Sequence, residues 1–111
     1  MARISGTHTS EVEFADLILK PGYGLGSYSL VGRVRNRSAR YALVELRVKL
    51  VMRDCTRPNG CETVGQTEES LFPDVPPAQA RDINTPLSFN GLSAPRGNYE
   101  WDYTILEIIG R

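Results

Sequence analysis

The sequence predicts an all-β protein, an antiparallel β-sandwich of six to seven strands with Greek-key connections. Three observations carry this. In Ala42 to Asp54, Val44, Leu46, Val48, Leu50 and Met52 fall at every second position, with Glu45, Arg47, Lys49 and Arg53 between them. Successive strand side chains point to opposite faces, so this pattern makes one dry face and one charged face. No segment shows helical periodicity over ten residues. Turn signals recur throughout the chain, as expected of many short strands.

The elements follow in order. Met1 to Ser10 is rich in Ser, Thr and Gly and reads as a flexible leader, leaving 11–111 as the single domain. Glu11 to Lys20 is the first strand. Its apolar positions change parity between Phe14 and Leu17, which predicts a bulge or a sheet switch near Ala15-Asp16. Pro21 to Gly26 is a turn. Tyr28 to Asn36 is the second strand, with Tyr28, Leu30, Gly32 and Val34 on one face and Arg33 and Arg35 on the other. After a turn at Asn36 to Arg40 comes the central strand. Thr56 to Gly60 is a turn by composition. Glu62 to Phe72 is polar, so an edge strand is expected. Gln79 to Phe89 carries Ile83, Leu87 and Phe89 on one parity, and Pro86 places its second half at an edge or bend. Asn90 to Asn98 is a loop. In the last strand, Tyr99 to Ile109, Trp101, Tyr103, Ile105 and Ile109 share one face, and Leu106 and Ile108 the other.

The 111 residues carry 13 basic and 13 acidic side chains, so net charge gives no argument for nucleic acid or membrane. Arg33, Arg35, Arg37, Arg40, Arg47, Lys49, Arg53 and Arg57 nevertheless concentrate in one stretch, opposed there only by Glu45 and Asp54. Arg33, Arg35, Arg37, Arg47, Lys49 and Arg53 form a candidate anion-binding face. The plain alternative is a solvated face paired with Glu68, Glu69, Glu100 and Asp102. No aromatic platforms interleave with these arginines, which argues against nucleic acid. Met1 to Ser10 lacks the apolar core of a signal peptide. Membrane attachment is expected only through an anchor lying outside this chain.

Cys55 and Cys61 flank the predicted turn between two strands. If those strands pair directly, the cysteines can come within disulfide reach. Two reduced thiols and a metal site are the alternatives. The metal reading lacks ligands, because the single histidine, His8, lies in the leader. The same isolation of His8 argues against a Ser-His-Asp site. Asp54, Asp74, Asp82 and Asp102 fall on different elements, and turn capping explains the first two. Gly22, Gly24 and Gly26 precede a strand rather than a helix, so they lack the context of a dinucleotide loop. Tyr23, Tyr28 and Trp101 are candidates for a sugar platform. No catalytic residue, metal or cofactor is expected.

Leu30-Val31-Gly32-Arg33-Val34-Arg35-Asn36-Arg37-Ser38 resembles the "apolar, Gly, x, apolar, x, Asn, x, Ser" strand and turn of FxLYD-type domains. Leu50-Val51-Met52-Arg53-Asp54 stands where that family has Phe-x-Leu-Tyr-Asp, with Leu50, Met52 and Arg53 replacing three of the named residues. Gly60, Val64-Gly65 and Val75 to Ala80 are similar to the turn, the apolar-Gly pair and the Pro-rich entry that follow. The resemblance spans Ser27 to Phe89. It implies an immunoglobulin-like sandwich and is nearest to a bacterial variant with a cysteine-closed hairpin. It also implies an extracytoplasmic, periplasmic-side location behind an anchor helix and a non-catalytic structural or interaction role with an unknown protein partner. A cytoplasmic location is the alternative compartment. The alternative function is binding of a polyanion or glycan on the basic sheet face.

Overall fold

The computed structural model describes residues 2–4, 11–56 and 60–111. The rest of the expected leader, including His8, and Arg57 to Asn59 of the expected hairpin turn lie outside the described residues. The protein is all-β, with two antiparallel sheets. The strands are β1 (Ala2–Ile4), β2 (Val12–Pro21), β3 (Ser27–Asn36), β4 (Leu43–Thr56), β5 (Gly60–Leu71), β6 (Ala80–Ser88) and β7 (Asn98–Gly110). One sheet has the order β1-β7-β4-β5 and the other β2-β3-β6. Within the segment read as a leader, Ala2–Ile4 pairs with Ile108–Gly110.

β4 is the centre of the larger sheet, pairing with both β5 and β7. Leu46, Val48, Leu50 and Met52 are buried, as the alternation requires. Each such side chain contributes about 1.5–3 kcal/mol by leaving water. They meet Leu30, Val34, Ile83 and Leu87 of the opposite sheet in one core. Val44 departs from the expectation. The pairing with β7 slips between Leu43 and Glu45, so Leu43 is buried in its place. Opposite β4, the pairing passes from Arg47↔Glu107 to Val48↔Ile105, leaving Leu106 as the extra residue on β7. That bulge switches parity. Ile108, expected outside, becomes core, and Ile109 is only half-buried.

The expected irregularity in β2 is present. Ala15 pairs with Arg33 and Ile18 with Val31, so Asp16 and Leu17 together oppose Gly32. Asp16 takes a positive φ of 53°. Gly32 is what lets the bulge close: a Cβ there would lie 2.9 Å from the Leu17 Cα and 3.2 Å from the Ala15 carbonyl oxygen. The parity change read from Phe14 and Leu17 and the glycine in β3 are therefore two sides of one packing event.

β5 is an edge strand, as its polarity predicts, and β6 with Pro86 is another. Glu69 faces the same side as buried Val48, its cross-strand partner. An inward carboxylate on an edge strand discourages pairing with another chain. Burial pushes the Glu69 carboxyl above its ordinary value.

Candidate functional site

The six basic residues of the candidate anion-binding face do not form one face. Arg33 and Arg35 lie on β3 and Arg37 just beyond it, while Arg47, Lys49 and Arg53 lie on β4, in the other sheet. Each trio alternates with inward-facing residues, so the two trios stand on opposite outer surfaces. Most are engaged in cross-strand pairs. Arg33 pairs with Asp82 at 3.1 Å and Arg37 with Glu13 at 3.2 Å. Arg47 pairs with Glu68 at 2.8 Å and lies 3.9 Å from Glu107, and Arg53 lies 3.9 Å from Asp102. Except for Glu107, whose side chain is only 12% exposed, these side chains are substantially exposed, so each of the exposed pairs contributes between about 0 and 1 kcal/mol. Pairing with Glu68 and Asp102 agrees with the sequence expectation. Lys49 lies opposite Glu68 in register.

Cys55 and Cys61 form a disulfide, with Cα atoms 4.0 Å apart in directly opposed register across the β4–β5 hairpin. The Glu100 carboxylate lies within 4.8 Å of both sulfurs. Sulfurs bonded to each other are not thiolate ligands, so this trio is a bridge with a neighbouring acid rather than a metal centre.

The carboxylates considered for catalysis are dispersed. Asp82 and Asp102 sit in the pairs above, on different sheets. Asp74 takes a positive φ of 49° in the β5–β6 connection. Asp54, the last residue of the Leu50–Asp54 motif, accepts hydrogen bonds from the Arg96 N–H at 2.8 Å and the Gly97 N–H at 2.9 Å. It thereby fastens the β6–β7 loop to the disulfide-bridged hairpin. A Cβ on Gly97 would overlap the Cys55 carbonyl oxygen.

That clamp belongs to a cluster of three connections at one end of the sandwich. The Phe89 N–H donates to the Gly26 carbonyl at 2.8 Å, tying the β2–β3 turn to the end of β6. Phe89 also stacks edge-on with Tyr28 at 5.8 Å, and Phe89 and Leu92 lie over Gly65 of β5. Burial, with Tyr99 as a lesser influence, pushes the Tyr28 phenol up. The Tyr99 hydroxyl donates to the Ser93 carbonyl. On this braced base stand Tyr23, fully exposed, and Leu25, 62% exposed. Of the aromatic residues considered for a sugar platform, Tyr28 and Trp101 pack against the core and only Tyr23 projects freely.

The opposite end is organised by Asn36, a buried polar residue within the Gly-x-apolar-x-Asn-x-Ser pattern. Its Nδ2 donates to the carbonyls of Tyr41 at 2.8 Å, Val75 at 3.1 Å and Pro76 at 3.3 Å. Its Oδ1 accepts from the Ser38 N–H at 3.0 Å, and the Ser38 hydroxyl accepts from the Arg40 N–H. One side chain thus joins the β3–β4 turn to the β5–β6 connection. Sequence reading singled out the motif without giving Asn36 this task; its position before a Ser-containing turn was the available signal. No helix among the described residues is long and apolar enough to cross a membrane. Comparison with family models, with curated proteins and with solved structures yields no match to this chain.

Proposed function

We propose that this protein is a non-catalytic, immunoglobulin-like module with Greek-key connections that works outside the cytoplasm as part of a membrane-anchored bacterial protein. It holds a protein partner at the loop end of the sandwich. The observation that carries the reading is the construction of that end. A disulfide, a carboxylate clamp and a backbone bond fix three connections under exposed Tyr23 and Leu25. Pre-ordering loops beneath an exposed aromatic lowers the entropic cost of binding. The disulfide is compatible with an oxidising compartment. The likeness to FxLYD-type domains gains physical sense from Gly32, Val34, Asn36 and Ser38, which serve the bulge, the core and the loop staple. A single anion-binding face has less support, because the arginines divide between two sheets and pair with acids.

Two experiments test this reading. A photo-crosslinking residue in place of Tyr23, in the full-length protein in its native cell, should give one discrete adduct, whereas the same residue at exposed Arg35 should not. Equal labelling from both positions would reject the loop-end interface. Alkylation in intact cells should find Cys55 and Cys61 unreactive before reduction. Two freely alkylated thiols would reject the compartment.

A further inference from the structure

Cys55 and Cys61 are held together by more than their bond. They stand in directly opposed register on β4 and β5, flanked by the pairs Asp54↔Glu62 and Thr56↔Gly60. Asp54 also accepts from the Arg96 and Gly97 N–H groups, which fastens the neighbouring loop. None of these contacts uses a sulfur, so opening the bridge leaves two thiols side by side. A third donor comes from the strand on the other side of β4. Glu100 of β7 opposes Arg53 in register. Arg53 and Cys55 are two residues apart on β4 and share a face, so Glu100 approaches Cys55 along the diagonal. One Glu100 carboxylate oxygen and the two Sγ atoms all lie within 4.8 Å of one another. Three adjacent strands thus deliver two sulfurs and an oxygen to one place. Cys55 is buried, whereas Cys61 and Glu100 are exposed, so the cluster is open to water on one side.

We propose that the reduced protein binds one zinc ion through the Cys55 and Cys61 thiolates and the Glu100 carboxylate, with water in the fourth position. Zinc takes tetrahedral donor sets, with sulfur at about 2.3 Å and carboxylate oxygen at about 2.0–2.2 Å. On such an ion two sulfurs stand ~3.8 Å apart, and a sulfur and an oxygen ~3.6 Å. The 4.8 Å cluster already encloses that spread. Thiolate sulfur selects zinc over the hard cations magnesium and calcium. The donors bring three negative charges against the two positive charges of the ion, and Arg53, in register with Glu100, offsets the remainder. Bridge and metal exclude each other, because a sulfur bonded to sulfur is not a thiolate. The conversion is a thiol–disulfide exchange. An external dithiol supplies two electrons and two protons, becomes a disulfide itself, and leaves Cys55 and Cys61 as thiols. Zinc then displaces their two protons to solvent. The β4–β5 hairpin is thereby clasped in both states, by a covalent bond in one and by the ion in the other. This goes beyond the interaction-module reading and does not require it.

The test uses cobalt(II), which replaces zinc in tetrahedral sites and, unlike zinc, absorbs visible light. The whole protein is reduced with a water-soluble phosphine, which takes up the oxygen of one water as the bridge opens and adds no competing thiol. Cobalt is then titrated in. The expected result is one ion per chain, with thiolate-to-cobalt charge-transfer absorption and the strong visible bands of four-coordinate cobalt. Zinc should displace the cobalt and erase both features. The oxidised protein should show neither. Glu100→Gln keeps both cysteines, so its fold is checked in the oxidised form. After reduction it should bind cobalt at least roughly tenfold more weakly, since even an outer-shell partner is worth that much. Glu62→Gln, beside Cys61 but outside the cluster, should leave the affinity unchanged. Should the reduced chain unfold, added metal should restore amide protection in β4 and β5 together with the cobalt spectrum. The proposal is overturned by a reduced protein without the charge-transfer band, by one ion shared between two chains, or by a reduced chain that stays unfolded with metal. Affinity indifferent to Glu100→Gln, or lowered as much by Glu62→Gln, would overturn the donor set.

Discussion

Asn36→Ala is the most informative single perturbation of the fold. The side chain is 1% exposed and holds four backbone groups. Two of these keep other partners after truncation: the Val75 carbonyl accepts from the Leu43 N–H at 2.8 Å, and the Pro76 carbonyl from the Gln79 N–H at 3.2 Å. The Tyr41 carbonyl and the Ser38 N–H lose the side chain that served them. Stranding a buried polar group costs about 1 kcal/mol or somewhat more. The void left by the amide adds about 1 kcal/mol. The sum, about 3 kcal/mol, is a large share of the stability of an ordinary domain. With an unfolding entropy near 2.1 cal/mol/K per residue, it lowers Tm by about 10–15 °C. Urea denaturation gives ΔΔG, and thermal melting gives the shift. Asn36→Asp sharpens the test. It replaces a donor with a group that, when ionised, faces carbonyl oxygens, so burial and repulsion both favour its protonated form. Folding then binds a proton, and this variant should recover stability on acidification while Asn36→Ala does not. A loss below about 1 kcal/mol for Asn36→Ala would refute the staple.

Removing the bridge with Cys55→Ser and Cys61→Ser together should cost about 2–2.5 kcal/mol, the loop-closure entropy of so short a ring, measured as a lower urea midpoint. Gly32→Ala should destabilise by about 1–3 kcal/mol, because the bulge must move off the new methyl; an unchanged melting curve would contradict the packing. Glu69 contributes a falling stability with rising pH. Its folded carboxyl titrates above its unfolded one, so the native state binds more protons in that window. Glu69→Gln should therefore raise the urea midpoint at neutral pH, with the gain fading once the pH drops below the ordinary carboxylate range. Arg33→Ala should change stability by less than about 1 kcal/mol in urea denaturation despite its ion pair with Asp82, because both side chains are open to solvent.

The fold class was legible because alternation in β4 is a strong, local signal. Turn chemistry located most strand ends, and the edge character of β5 and β6 followed from polar residues and Pro86. What local reading missed lay in register. Val44 fails to become core and Ile108 replaces Ile109 because each strand slips by one residue against its partner. A bulge on one strand depends on what stands opposite, which periodicity along that strand does not encode. The β2 bulge was visible because its apolar residues change parity themselves. The basic residues illustrate a second limit. Their spacing along the chain placed them at alternate positions, but membership of two different sheets depends on the connection between β3 and β4. Asp54 likewise looked like a turn cap for its own hairpin, whereas its partners, Arg96 and Gly97, lie 42 and 43 residues away.

Native-state hydrogen exchange along β4 tests the central claim most directly. In a sandwich closed over that strand, the backbone amides from Leu46 to Met52 should be among the slowest in the molecule and exchange only when the whole domain unfolds. Exchange there as fast as in the Gly22–Gly26 turn would mean that no second layer covers the strand.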